Sequence, residues 1–175
     1  MAGAGTRIHI ALLRAVNVGG TGKLPMAELK AMAGRIGFGN PRTYIASGNL
    51  VFESDLTPAE AGQRLEAALA DYAGKPVGVI MRTCEEMQAV LDDNPFSDAP
   101  GNRCVALFLD TPPPDDWQAS LKYRTDEAVE AGAREVYIHY GGGMAQSKLV
   151  IPAAKSGTMR NMNTVAKLVE MARQA

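Results

Sequence analysis

The chain has 175 residues, 46% of them hydrophobic and 21% charged, which suits a folded domain and excludes a disordered or fibrous chain. Two cysteines and two histidines are too few for a disulfide framework or a Cys/His zinc cluster. The net charge of −1 divides unevenly along the sequence: residues 1–50 carry +5, residues 51–147 carry −10 and residues 148–175 carry +4. Basic ends on a nearly neutral chain suit a small phosphate or carboxylate ligand better than a long nucleic-acid track, so a nucleic-acid partner is not expected.

RIHIALL (7–13) is short and rich in Ile and Leu and predicts a strand. NVGGTGK (17–23) is a glycine-rich loop. A helix follows from Pro25, with Met26, Leu29, Ala33 and Ile36 at helical spacing and Gly37 and Gly39 closing it. RTYIA (42–46), SGN (47–49) and LVFES (50–54) read as a hairpin. Thr57, Pro58 and Glu60 form a capping box for a helix reaching about Tyr72, and KPVGVIMR (75–82) is the next strand. This β-α-β-β-α-β order is the ferredoxin-like pattern.

Thr83 and Glu86 form a second capping box, for a helix that stops before Asn94–Pro95. CVALFLD (104–110) predicts a strand, PPPDDWQASLK (112–122) a short helix, and DEAVEAG with EVYIHY (126–132, 135–140) another hairpin. MAQSKLVIP (144–152) is expected to begin helically. Asn163 is the expected cap of a last helix with Val165, Leu168, Val169 and Ala172 on one side. The second half therefore reads as the same pattern without its last strand. The expected architecture is α+β: two ferredoxin-like subdomains in tandem, at 1–83 and 84–175, with antiparallel sheets covered by helices on one face.

No apolar run reaches the length of a membrane helix, and MAGAGTR at the start lacks the pattern of a secretory signal. A cytoplasmic protein that does not contact the membrane is the expectation. GGTGK (19–23) is not a Walker loop, because Asn17 stands where its first glycine belongs and Leu24 where its hydroxyl belongs. GxGxxG and metal-ligand spacing are both missing from the sequence, so no cofactor is indicated.

The blocks LLRAVNVGGTGKLPMAELK (12–30), RTYIASGNLVFES (42–54), NPF (94–96), REVYIHY (134–140), SKL (147–149) and GTMRNMNTVAKLVEMA (157–172) together resemble the bacterial family called domain of unknown function 1697. That family's pattern has Gly where Ala15 stands and Trp where Met162 stands. The resemblance implies two ferredoxin-like subdomains and no established activity, cofactor or substrate.

The candidate anion ligands lie in predicted loops and at helix starts. Arg14, Asn17, Gly19, Gly20 and Lys23 end the first strand and fill its loop, where glycines let backbone N–H groups approach an anion. Ser47 and Asn49 lie at a hairpin tip. Ser147, Lys148, Arg160, Asn161, Asn163 and Thr164 frame the last helix, whose first turn offers N–H donors. The loop at 17–23 and the segment 157–164 are expected to come together around one anion. Three functions are open on this reading: binding of a small phosphate- or nucleotide-like ligand, transfer or hydrolysis on a phosphorylated substrate, and weak nucleic-acid binding across an open sheet face. The catalytic reading needs a base, for which Glu28, Glu53 and His139 are the candidates.

Overall fold

The computed structural model describes residues 6–14, 24–45, 48–141 and 147–174. It is α+β, with two four-stranded antiparallel sheets and four α-helices among those residues. The chain divides into two compact units, residues 1–87 with 168–175, and residues 88–167.

The first unit contains β1 (Arg7–Leu13), α1 (Met26–Arg35), β2 (Gly39–Tyr44), β3 (Asn49–Ser54), α2 (Pro58–Ala73) and β4 (Val79–Thr83). The strands pair in the order β2-β3-β1-β4, every neighbour antiparallel. Helix α2 starts where the sequence places it: Glu60 N–H donates to Thr57 Oγ1 at 3.2 Å, and Thr57 N–H donates to Glu60 Oε1 at 3.1 Å. One face of the sheet buries Ala11, Leu13, Leu50 and Phe52 against Leu29, Met32, Leu65 and Leu69 of α1 and α2. Each of the leucine, phenylalanine and methionine side chains among them contributes roughly 1.5–3 kcal/mol when fully buried.

The opposite face carries Ile10, Leu12, Val51 and Ile80, and these are buried as well. The open sheet face that the nucleic-acid reading requires is therefore not found among the described residues of this sheet. The uninterrupted Ile10–Leu13 run is the chemical reason, since a strand covered on both faces has no polar alternation.

The second unit begins within α3 (Cys84–Asp92) and contains β5 (Cys104–Phe108), β6 (Ala128–Ala131), β7 (Glu135–His139), β8 (Thr158–Asn161) and the first part of α4 (Met162–Arg173). Its strands pair in the order β6-β7-β5-β8, again all antiparallel. Numbered within each unit, both sheets run second, third, first, fourth. The fourth strand, missed in the sequence, is β8. TMRN has one apolar residue, Met159, because the alternate position that faces away from it is filled by Arg160.

The expected helix at 112–122 is also corrected. Three prolines and two aspartates open that stretch, and it forms consecutive turns, with Trp117 N–H donating to Pro114 O and Ala119 N–H to Asp116 O. It still covers the sheet, through Trp117 and Leu121, against Val105, Leu107, Val136 and Ile138. Residues 147–150 are not helical and 152–156 form a short 3-10 turn, while 144–146 lie outside the described residues. On the other face, Tyr137 is buried and its hydroxyl donates to Val90 O of α3 at 2.9 Å.

Candidate functional site

The candidate residues of the first unit lie at one end of β1. Arg14 N–H donates to Gly78 O at 2.9 Å. The Arg14 side chain runs across Gly78, its Nη1 3.1 Å from the place a Cβ would take. Gly78 thus leaves room that any other residue would fill, and this fixes the direction of the guanidinium. Asn17, Gly19, Gly20, Lys23 and Ser47 lie outside the described residues. Asn49 is fully buried and donates from Nδ2 to Tyr44 O at 2.8 Å, so its side chain closes the β2–β3 hairpin.

In the second unit the start of α4 differs from the expectation. The cap is Asn161, whose Oδ1 accepts from Thr164 N–H at 2.9 Å. Met162 N–H donates to Gly101 O at 3.2 Å. Two of the first-turn donors expected to face a ligand are thereby occupied. Asn163 sits against Gly101, where a Cβ would collide with its Oδ1, and Thr164 is buried.

Arg160 lies on β8 opposite Ala106 of β5, with 6% of its surface exposed. Its Nη1 donates to Thr158 Oγ1 at 2.7 Å and to Met159 O at 2.9 Å. Burial pulls the guanidinium down to about 10, so it stays charged at neutral pH. The sequence places Arg160 in a loop; it is instead a buried residue of the edge strand β8.

Ser147 is held by a different set of contacts. Ser147 Oγ donates to Glu127 Oε2 at 2.5 Å and accepts from Leu149 N–H at 3.2 Å. Glu127 also accepts from Thr125 N–H at 2.7 Å. The hydrogen bond from Ser147, then that from Thr125, hold the Glu127 carboxyl below the usual carboxylate range. Three residues on from Ser147, Val150 pairs with Lys122 by reciprocal backbone bonds of 2.9 and 3.0 Å. Segments 122–127 and 147–150 are therefore strapped together. Lys122, Tyr123, Arg124 and Lys148 are exposed on this strap, as is Asp126. Sequence reasoning passed over Lys122 and Tyr123. The run Lys122-Tyr123-Arg124, two cations around an aromatic, was the available signal, but its pairing with 150 is long-range and invisible locally.

The groups considered as bases are committed elsewhere. Glu28 forms an ion pair with Arg35 at 2.7 Å, Glu53 accepts from Asn40 at 3.0 Å, and His139 stacks on Phe96. Cys104 is buried, its thiol pushed up by burial and held by Asn94, which suits packing and not nucleophilic attack. Among the described residues no group of three or more His, Cys, Asp or Glu is placed to hold a metal ion. No helix among them is long and apolar enough to cross a membrane.

The fold thus defines an α+β protein of two four-stranded antiparallel sheets. The family model for a protein of unknown function, DUF1697, matches residues 7–137, and the chain belongs to that family. A solved structure, that of the conserved bacterial protein SP0830 from Streptococcus pneumoniae, is similar in fold. It is 24% identical with a TM-score of 0.75, and the match covers 95% of this chain and 99% of that one. No curated protein matches the chain.

Proposed function

We propose that this protein binds a small anion of the phosphate or nucleotide kind, and that it is a cytoplasmic binding protein built of two ferredoxin-like subdomains. The strand order second, third, first, fourth in each sheet supports the subdomain reading. The observation that carries the binding reading is the strap of the second unit. Lys122, Arg124 and Lys148 are exposed on two segments fixed by the Lys122–Val150 pairing and the Ser147–Glu127 hydrogen bond. Cations on a fixed backbone lose less conformational freedom on binding than cations on a loose one. In the first unit, Arg14 precedes in sequence the residues Asn17, Gly19, Gly20 and Lys23, a second basic segment whose composition suits an oxyanion.

Titration of the isotopically labelled protein with inorganic pyrophosphate tests the reading. The backbone amide signals of residues 122–124 and 147–149 shift at millimolar ligand, and the shifts shrink as salt rises. Lys148→Ala weakens binding severalfold, and Asp126→Asn strengthens it by removing an exposed carboxylate of the strap. Unmoved signals in both basic segments at high pyrophosphate overturn the proposal.

A further inference from the structure

Among the described residues Tyr123 is the most exposed of the large hydrophobic side chains, at 69%, and its backbone adopts φ +61. A bulky residue rarely takes that conformation, and it persists only where its surroundings impose it. Here both flanks do so. On one side Lys122 is fixed to Val150 through both its backbone groups. On the other, Arg124 Nε donates to Glu127 O at 2.8 Å, and Thr125 N–H donates to the Glu127 carboxylate. Packing gives no reason for the ring, since it is turned out to solvent. Next to it in sequence are the exposed cations Lys122 and Arg124, and the segment bridged to Lys122 carries the exposed Lys148 and the exposed apolar residue Val150.

We propose that the Tyr123 ring and the lysines of the strap form a nucleotide-binding surface, with a base stacked on the ring and phosphates held by Lys122 and Lys148. This rests on the anion-binding reading and names its ligand class. An aromatic face next to ammonium groups matches a ligand with one flat π-system joined to phosphates. Stacking is indifferent to base identity, so little discrimination among bases is expected. The strap presents one such ring, enough for a single base, and so the ligand is a free nucleotide and not a nucleic-acid strand. Asp126 at the same surface opposes additional negative charge and limits affinity.

The test compares adenosine diphosphate, adenosine and inorganic pyrophosphate on the intact protein, by amide chemical-shift titration. The diphosphate is expected to bind about tenfold more tightly than pyrophosphate, with shifts centred on 122–124 and 147–149. Tyr123→Asn removes the ring but accepts the left-handed backbone readily, so the fold is kept. It should abolish the tenfold advantage and leave pyrophosphate binding unchanged, whereas Tyr123→Trp should preserve the advantage. Equal affinity for the diphosphate and pyrophosphate overturns the nucleotide inference and leaves anion binding standing. Failure of both ligands to bind overturns the two together. A ten-nucleotide single strand that shifts the same amides at far lower concentration than the diphosphate overturns the choice of a free nucleotide.

Discussion

Arg82 and Arg160 hold equivalent positions in the two sheets. Each lies on the fourth strand of its unit, Arg82 opposite Ile10 and Arg160 opposite Ala106, both partners on the first strand. Each follows a methionine, donates from Nη1 to that methionine's carbonyl at 2.9 Å, and is buried. In each case the next residue caps a helix. Thr83 Oγ1 accepts from Glu86 N–H, and Asn161 Oδ1 accepts from Thr164 N–H, three residues on in both. The segments MRTCEEM and MRNMNTV are thus the same strand-to-helix junction used twice.

The two guanidiniums fill core volume as well as donating hydrogen bonds. Replacement by methionine keeps most of that volume and removes a charge whose burial is costly. Arg82→Met and Arg160→Met should therefore cost under about 2 kcal/mol, and the alanine variants 1–3 kcal/mol more because they leave cavities. Denaturant unfolding of the four variants decides this. Methionine variants as unstable as the alanine ones would mean that charge, not volume, matters at these sites. If Arg160→Met also binds pyrophosphate normally, Arg160 is no part of the anion site.

His9 carries the clearest acid sensitivity. It is buried, stacked on Phe52 with ring centroids 5.2 Å apart, and lies opposite Thr83 on β4. Its Nε2 donates to Ser54 O at 3.3 Å, while Nδ1 is buried without a hydrogen-bond partner. A second proton would have to sit on Nδ1. Burial, first, and the nearby Arg7 charge hold the imidazole below its ordinary value of 6.5, against the carbonyls of Ser54 and Leu56. Well above pH 6.5 the ring is neutral in both states and adds no pH dependence. As pH falls below that, the unfolded chain takes the proton first and stability declines, by at most about 1.4 kcal/mol per pH unit. His9→Phe should keep the stacking and flatten the stability profile between pH 5 and 6.5, as followed by thermal unfolding across that range. An unchanged slope would assign the acid sensitivity to other groups.

Much of the first unit was legible because its signals are local. The capping boxes at Thr57–Glu60 and Thr83–Glu86 form as read, and so does the 42–54 hairpin pairing. What the sequence hid depends on distant partners. Arg160 reads as a surface cation until β8 is seen pairing with β5, and Asn163 reads as a cap until Asn161 is seen accepting from Thr164. Segment 112–122 keeps apolar residues near helical spacing, yet its prolines and aspartates favour turns. Ser147 reads as a candidate ligand framing the last helix, and nothing local reveals that Glu127 holds it.

Arg42 joins β2 to the end of α4. Its Nη1 donates to Met171 O in the last turn of that helix at 2.5 Å, and its Nε donates to Asn40 O at 3.2 Å. A cation at a helix C-terminus also meets the negative end of the dipole. Arg42→Met should destabilise by about 1–2 kcal/mol. Hydrogen exchange of the last turn of α4 should quicken more than that of β5 or β7. Uniform quickening across the chain would show that Arg42 supports the whole fold and not the helix end.

The Ser147–Glu127 hydrogen bond gives the strap a testable pH signature. Glu127 is held below the usual carboxylate range chiefly by the Ser147 hydroxyl, then by Thr125 N–H. A depressed carboxylate contributes stability that is present above its unfolded value, near 4.3, and is lost as pH falls through the folded one. Ser147→Ala removes the larger contribution, so the Glu127 carboxyl should move up toward its ordinary range. At neutral pH the variant should be less stable by about 1–2 kcal/mol, since a nearly buried carboxylate loses a donor. As pH falls through the folded value the carboxylate takes a proton and the gap should narrow. The amides of Lys122 and Val150 should exchange faster in the variant, because their pairing lies next to the lost anchor. Side-chain carbon chemical shifts of Glu127 followed against pH, with exchange measured on the same sample, check each part. A Glu127 titration unchanged by Ser147→Ala would show that the hydroxyl does not hold the carboxylate, and the strap would then owe its rigidity to the backbone pairing at 122 and 150 alone.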